Sequence, residues 1–127
     1  MKKELKFYIC NHCKNVIVKL SDSSVPVVCC GEEMQLLVAN TVDASVEKHV
    51  PVIEQLENNI TRVRIGEVDH PMEEKHYIEW ILLETETEYR VHHLAPNEVN
   101  YAEFFSNEKV VAAYAYCNLH GLWKATI

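Results

Sequence analysis

The sequence predicts a mainly β protein in two parts, a small four-cysteine metal module over residues 1–38 and a β-sandwich over residues 39–127. Three observations carry this. Four of the five cysteines fall within the first thirty residues. From about residue 40 onward, short runs rich in β-branched and aromatic residues recur between polar turns at the spacing of a sandwich. Charge is also uneven: residues 1–39 hold five lysines and four acids, about +1, whereas the remainder carries about −8.

In the first part, Phe7-Tyr8-Ile9 leads into Cys10-Asn11-His12-Cys13, and Val16-Ile17-Val18 reads as a short β-run. Residues 21–24 form a polar turn, after which Val25-Pro26-Val27-Val28 runs into Cys29-Cys30-Gly31. So few apolar residues cannot fold this stretch by burial alone, so a metal staple is expected, with binding coupled to folding. The joint is expected near Ala39-Asn40-Thr41.

Beyond it, Val50, Val52, Ile60, Val63, Ile65 and Val68 sit in short runs, and residues 77–83 and 110–116 read as strands. By strand parity His76 shares a face with Ile78, Trp80 and Leu82, and Cys117 with Val111, Ala113 and Ala115, presumed inward by their apolar company. Residues 98–105 suit a helical turn, and no strong helix is expected elsewhere. No internal repeat or low-complexity segment is visible.

Composition narrows the function classes. A hydrophobic fraction of 48% is globular, and no apolar run approaches the roughly 18 residues that span a bilayer. The start of the chain lacks an apolar signal core, which makes the cytoplasm the default expectation. A net charge of −7 argues against a nucleic-acid partner, because phosphate binding needs a basic surface. Five cysteines leave one over from any closed disulfide framework, so metal binding is favoured over disulfides. Seven histidines add ligands suited to iron, zinc or copper.

Cys10-x-x-Cys13, followed by Cys29-Cys30, supplies four thiols. The first pair is a metal knuckle, two thiolates from one tight turn. The adjacent pair is unusual, since neighbouring side chains in extended backbone point to opposite faces. Both reach one ion only if the backbone bends sharply, and Gly31 supplies freedom for that bend. Spacing alone suits zinc or iron, with a vicinal disulfide at Cys29–Cys30 as a minor alternative.

The remaining chemistry-bearing motifs are Glu47-Lys48-His49-Val50-Pro51, His70-Pro71-Met72-Glu73-Glu74-Lys75-His76 and Cys117-Asn118-Leu119-His120-Gly121. Taken singly, His49 and His76 are ordinary core or surface histidines and Cys117 an ordinary buried apolar residue. Together with CNHC and CCGEEM, the segments EKHVPVIE, HPMEEKHYIEW and CNLHGLWKA resemble the desulfoferrodoxin family of two-iron superoxide reductases along essentially the whole chain. The resemblance implies a desulforedoxin-like domain holding one iron through Cys10, Cys13, Cys29 and Cys30. It also implies an immunoglobulin-like β-sandwich holding a second iron through His49, His70, His76 and His120, with Cys117 as axial ligand. His12, His92 and His93 match no ligand position and are expected at the surface.

Four neutral imidazoles and one thiolate around Fe(II) leave a site of about +1 with one position of six open, suited to a small anion. The resemblance implies one-electron reduction of superoxide to hydrogen peroxide, electrons from a rubredoxin-like or other small donor, and a homodimer. Lys48 is the local cation expected to attract superoxide and to order a proton-delivering water. Glu47 is implied as the sixth ligand of the ferric site; its bland alternative is a solvated pair with Lys48. Competing readings are superoxide dismutation at the same iron, and a metal-stapled β-sandwich that binds a partner or transfers electrons without superoxide turnover. A copper site with two histidines and one cysteine would leave two histidines unexplained.

Overall fold

The computed structural model describes residues 4–127, so the lysines at the start of the chain lie outside the described residues. By its internal contacts the chain divides into two units, one ending at Val38 and the other beginning at Ala39.

In the first unit, β1 (Phe7–Ile9) is the centre of an antiparallel sheet, flanked by β2 (Val16–Val18) and, later in the chain, the strand Gln35–Leu37. Tyr8 stands opposite both Ile17 and Leu36. A separate hairpin joins β3 (Val28–Cys29) to β4 (Glu32–Glu33), which makes Gln35–Leu37 the fifth strand, β5. The two-residue hairpin loop is Cys30-Gly31, with φ of 54° and 76°. Positive φ at both positions is the mark of a type I′ turn, whose twist matches that of the flanking strands. This is the sharp bend that two adjacent cysteine ligands require. Among the described residues of this unit, the buried apolar side chains are Leu5, Phe7, Cys10 and Met34, too few for a self-sufficient core.

The second unit opens with a single helical turn, α1 (Val46–His49), and runs directly into β6 (Pro51–Gln55). β6 pairs with β7 (Ile60–Ile65), and β7 pairs on its other edge with Tyr101–Phe105. Tyr101–Phe105 is β10 of this first sheet, and the facing sheet is built from β8 (Ile78–Thr85), β9 (Tyr89–His93), β11 (Val110–Cys117) and β12 (Gly121–Thr126). Its order is β12-β11-β8-β9, antiparallel throughout. Val63 and Ile65 of β7 and Ala102 and Phe104 of β10 share one core with Ile78, Ile81 and Leu83 of β8 and Ala113, Ala115 and Cys117 of β11. The protein is therefore mainly β, and this unit is a two-sheet sandwich. Among the described residues no helix is long and apolar enough to cross a membrane.

Two local expectations fail. Residues 98–105 hold no helical turn; Tyr101–Phe105 is a strand whose burial alternates at Ala102 and Phe104, and pairing with β7 satisfies its backbone. Strand parity also breaks. The β11–β8 ladder slips between Val110 and Ala112 and again between Tyr116 and Cys117. The first slip turns Val111 outward, 39% exposed, while Ala113 and Ala115 stay inside. The second places Ile78 and Ile81, three apart rather than two, on the core face. Trp80, displaced to the other face, stacks on Tyr116 with ring centroids 5.7 Å apart. Bulges re-aim side chains at strand ends, and this one lies beside Cys117.

Candidate metal centres

In the first unit the four sulfurs of Cys10, Cys13, Cys29 and Cys30 lie within 4.8 Å of one another. Cys13 Sγ and Cys29 Sγ are 3.6 Å apart. Metal–sulfur bonds of about 2.3 Å at tetrahedral angles call for roughly 3.8 Å, so the spacing already suits an ion. The knuckle closes through Lys14 N–H to Cys10 O and Cys10 N–H to Asn15 O, both 2.9 Å. The Cys13 backbone N–H brings the Cys10 thiol down to about 6. Cys30 goes the other way, up to about 12, chiefly through the thiols of Cys13 and Cys10. The cluster accepts one negative charge and resists further ones, which is the condition a bound cation relieves. All five cysteines are free, so no vicinal disulfide joins Cys29 and Cys30.

The second cluster lies at one end of the sandwich. His49 ends α1, His70 follows β7, and His76 precedes β8. Cys117 ends β11, and His120 stands in the turn before β12. Ladder register brings these ends together: Pro51 faces Ile65 across β6–β7, and Cys117 faces both Ile78 and Gly121. One ring nitrogen each from His49, His70 and His76, and the Cys117 sulfur, lie within 4.8 Å of one another. His120 completes the ring of side chains. Its Nδ1 is 3.1 Å from His49 Nε2 and 3.9 Å from Cys117 Sγ.

Hydrogen bonds fix which nitrogens face inward. His49 Nδ1 donates to Ser45 O at 2.6 Å, and His70 Nδ1 donates to Pro71 O at 2.7 Å. A carbonyl only accepts, so in both neutral rings Nε2 carries no hydrogen and keeps a lone pair for an acceptor or ligand role. The Nε2 atoms of His70 and His76 are buried with no hydrogen-bond partner. Orphaned buried nitrogens are costly, and aimed at one point they are what a metal satisfies. Metal–nitrogen bonds of about 2.1 Å at right angles put neighbouring nitrogens about 3 Å apart, close to the His49–His120 separation.

Electrostatics favours neutral imidazoles. Burial pushes His70 down to about 4 and also lowers His49 and His76. After burial and neighbouring histidines, the Lys48 ammonium adds a smaller push in the same direction on both His49 and His76. Burial raises the Cys117 thiol, while the backbone N–H groups of Leu119 and His120 pull it back. Cys117 therefore stays protonated until a cation displaces the proton.

Glu47 and Lys48 do not join this cluster; both side chains are exposed on α1. Glu47 lines an open cleft of about 480 Å³ with Val46, Val50, Pro51, Val52 and Glu67. The side chains of His12, His92 and His93 are exposed and belong to neither cluster, His12 pairing with Glu32 at 3.1 Å. Sequence reasoning missed Trp123. Its ring stacks on His49 at 4.8 Å, and its Nε1–H donates to His120 O at 3.1 Å. The apolar–aromatic step Leu122-Trp123 just after the Cys-x-x-His turn was the available signal.

Comparison with known proteins gives a consistent picture. A family model described as Desulfoferrodoxin matches residues 41–126. The chain is 45% identical over 125 residues to the desulfoferrodoxin of Nitratidesulfovibrio vulgaris, and 43% to that of Desulfarculus baarsii, with 98% of both chains covered in each case. Among solved structures, the superoxide reductase from Treponema pallidum superposes with a TM-score of 0.81 at 31% identity, over 98% of this chain and 100% of that one.

Proposed function

The chain belongs to the desulfoferrodoxin family, and from that premise we propose that it is a superoxide reductase, reducing superoxide by one electron to hydrogen peroxide. The observation that carries this is the inward convergence of His49, His70, His76, His120 and Cys117, with two ring nitrogens buried and unpartnered. Iron held there would supply the reducing electron and a binding point for a small anion. His49, His70, His76 and His120 would hold it as neutral ligands, and Cys117 would hold it as a thiolate that enriches its electron density. Cys10, Cys13, Cys29 and Cys30 would hold a second iron, making two per chain.

The surrounding residues supply field and protons. With a net charge of −7, the protein as a whole repels superoxide, so attraction must be local. Lys48, adjacent to His49 and felt electrostatically at His49 and His76, supplies that local positive field. Its ammonium would also order a water that supplies one of the two protons the reduction consumes. Two protons and one electron per superoxide balance the conversion to hydrogen peroxide. Glu47, exposed on α1, would act as the hard carboxylate ligand of the oxidised site once its side chain swings inward. A rubredoxin-like or other small redox protein supplies the electron, and the protein works as a cytoplasmic homodimer.

Metal content of anaerobically purified protein from iron-replete cells tests the reading. About two irons per chain are expected. One zinc and no iron would leave only a stapled four-cysteine module and would overturn the catalytic assignment.

A further inference from the structure

We propose that Asn118 is a positioning residue that locks the loop carrying His76 to the turn carrying Cys117 and His120. His49 and His70 are aimed by their own ring nitrogens, through the carbonyls of Ser45 and Pro71. His76 is aimed through its backbone. A bridge closes the loop, Glu73 N–H to His76 O at 2.8 Å and His76 N–H to Glu73 O at 3.0 Å. Asn118 then grips the residues on either side of His76. Its Nδ2 donates to Lys75 O and its Oδ1 accepts from Tyr77 N–H, both at 3.0 Å. Its own backbone N–H donates to Tyr77 O at 3.2 Å.

Asn118 stands between Cys117 and His120 in the chain, so these three bonds tie three ligands into one unit. The second ladder slip, at Tyr116/Cys117, explains why a side chain is needed. After that slip the β11–β8 ladder ends on the pair Cys117 and Ile78, so Tyr77 and Lys75 lie beyond it and their backbone groups need other partners. A primary amide offers a donor and an acceptor at fixed separation. Aspartate keeps the acceptor and sets a carboxylate against the Lys75 carbonyl; leucine offers neither group. Partners behind metal ligands typically govern affinity by about 10- to 100-fold.

This inference rests on the metal reading above. The test compares full-length wild type with Asn118→Asp and Asn118→Leu by anaerobic Fe(II) competition against a chelator. The four-cysteine site serves as internal reference, and the isosteric Asp variant covers the case in which the Leu variant fails to fold. Expected is a loss of about 10- to 100-fold in Fe(II) affinity at the histidine–cysteine site alone, with a shifted thiolate-to-iron absorption band in the loaded protein. Affinity within about twofold of wild type and an unshifted band would overturn the proposal, even if metal-free stability fell, because a merely structural role predicts that pattern. Wild-type protein that takes up no iron at this site would instead overturn the functional reading, and this inference with it.

Discussion

Replacing Gly66 with alanine should destabilise the sandwich by about 3–4 kcal/mol, and the structure shows where each part comes from. Gly66 follows β7 with φ of 87°, where an L residue costs about 1 kcal/mol. A Cβ there would lie 2.4 Å from Val68 O and 2.6 Å from Lys48 O. Both are backbone atoms and cannot swing aside. Relief requires shifting the backbone at Val68 and lifting segment 47–50 off the end of β7. That strains or breaks the bond from Gly66 N–H to Val50 O at 3.2 Å and that from Val68 N–H to Glu47 O at 3.0 Å. Each is worth about 1 kcal/mol net, with further cost where a buried group is left unpaired. The chain has two tryptophans, Trp80 and Trp123, both in the second unit, so fluorescence during urea unfolding follows that unit alone. With a slope of about 1.5 kcal/mol per molar urea, the midpoint should fall by about 2 M at matched metal load. A fall below about 0.5 M would show that segment 47–50 yields freely and is not clamped to β7.

Three further outcomes follow from the site. Lys48→Ile should slow the second-order reaction with superoxide by about tenfold and flatten its salt dependence; an unchanged rate in stopped-flow measurements would remove Lys48 from the mechanism. Glu47→Ala should alter the visible and EPR signals of the oxidised protein, and identical signals at all pH values would exclude Glu47 as a ligand. Metal-free protein should lose stability in mild acid. His70 lies at about 4 in the folded chain against an ordinary 6.5, so below 6.5 the unfolded chain binds more protons. Stability is thus complete above pH 6.5 and declines as pH falls toward 4, by up to about 3 kcal/mol from this buried residue. A flat urea midpoint between pH 7 and pH 4.5 would contradict the burial of neutral imidazoles.

Much of the fold was legible because strands announce themselves in composition. Val16-Ile17-Val18, residues 77–83 and residues 110–116 carry β-branched and aromatic runs bounded by polar turns, and each lies within or overlaps a strand. Short elements were harder. The turn Val46–His49 has four residues and no side-chain cap, too little for a periodic signal, and it persists because Gly66 and Val68 N–H, just past β7, donate to Val50 O and Glu47 O. Tyr101–Phe105 was misread because Glu98, Ala102 and Glu103 suit a helix locally, whereas pairing with β7 decides the outcome. Parity failed at the bulges, since an inserted residue reverses every later side chain and leaves no mark in composition.

The candidate metal ligands were readable as motifs in a fixed order, but the structure that aims them was not. The Ser45 and Pro71 carbonyls act through backbone atoms common to all residues, which no sequence pattern distinguishes. Trp123 and Asn118 lay in view beside Cys117 and His120. Their contacts to His49 and to the His76 loop depend on long-range folding.

The most direct test of superoxide reduction is the peroxide yield per superoxide consumed by pre-reduced, iron-loaded protein. The account predicts about one hydrogen peroxide for each superoxide, with one electron drawn from the protein each time and turnover only while a donor resupplies it. About one peroxide for every two superoxide ions, continuing without a donor, would mean dismutation and would contradict it.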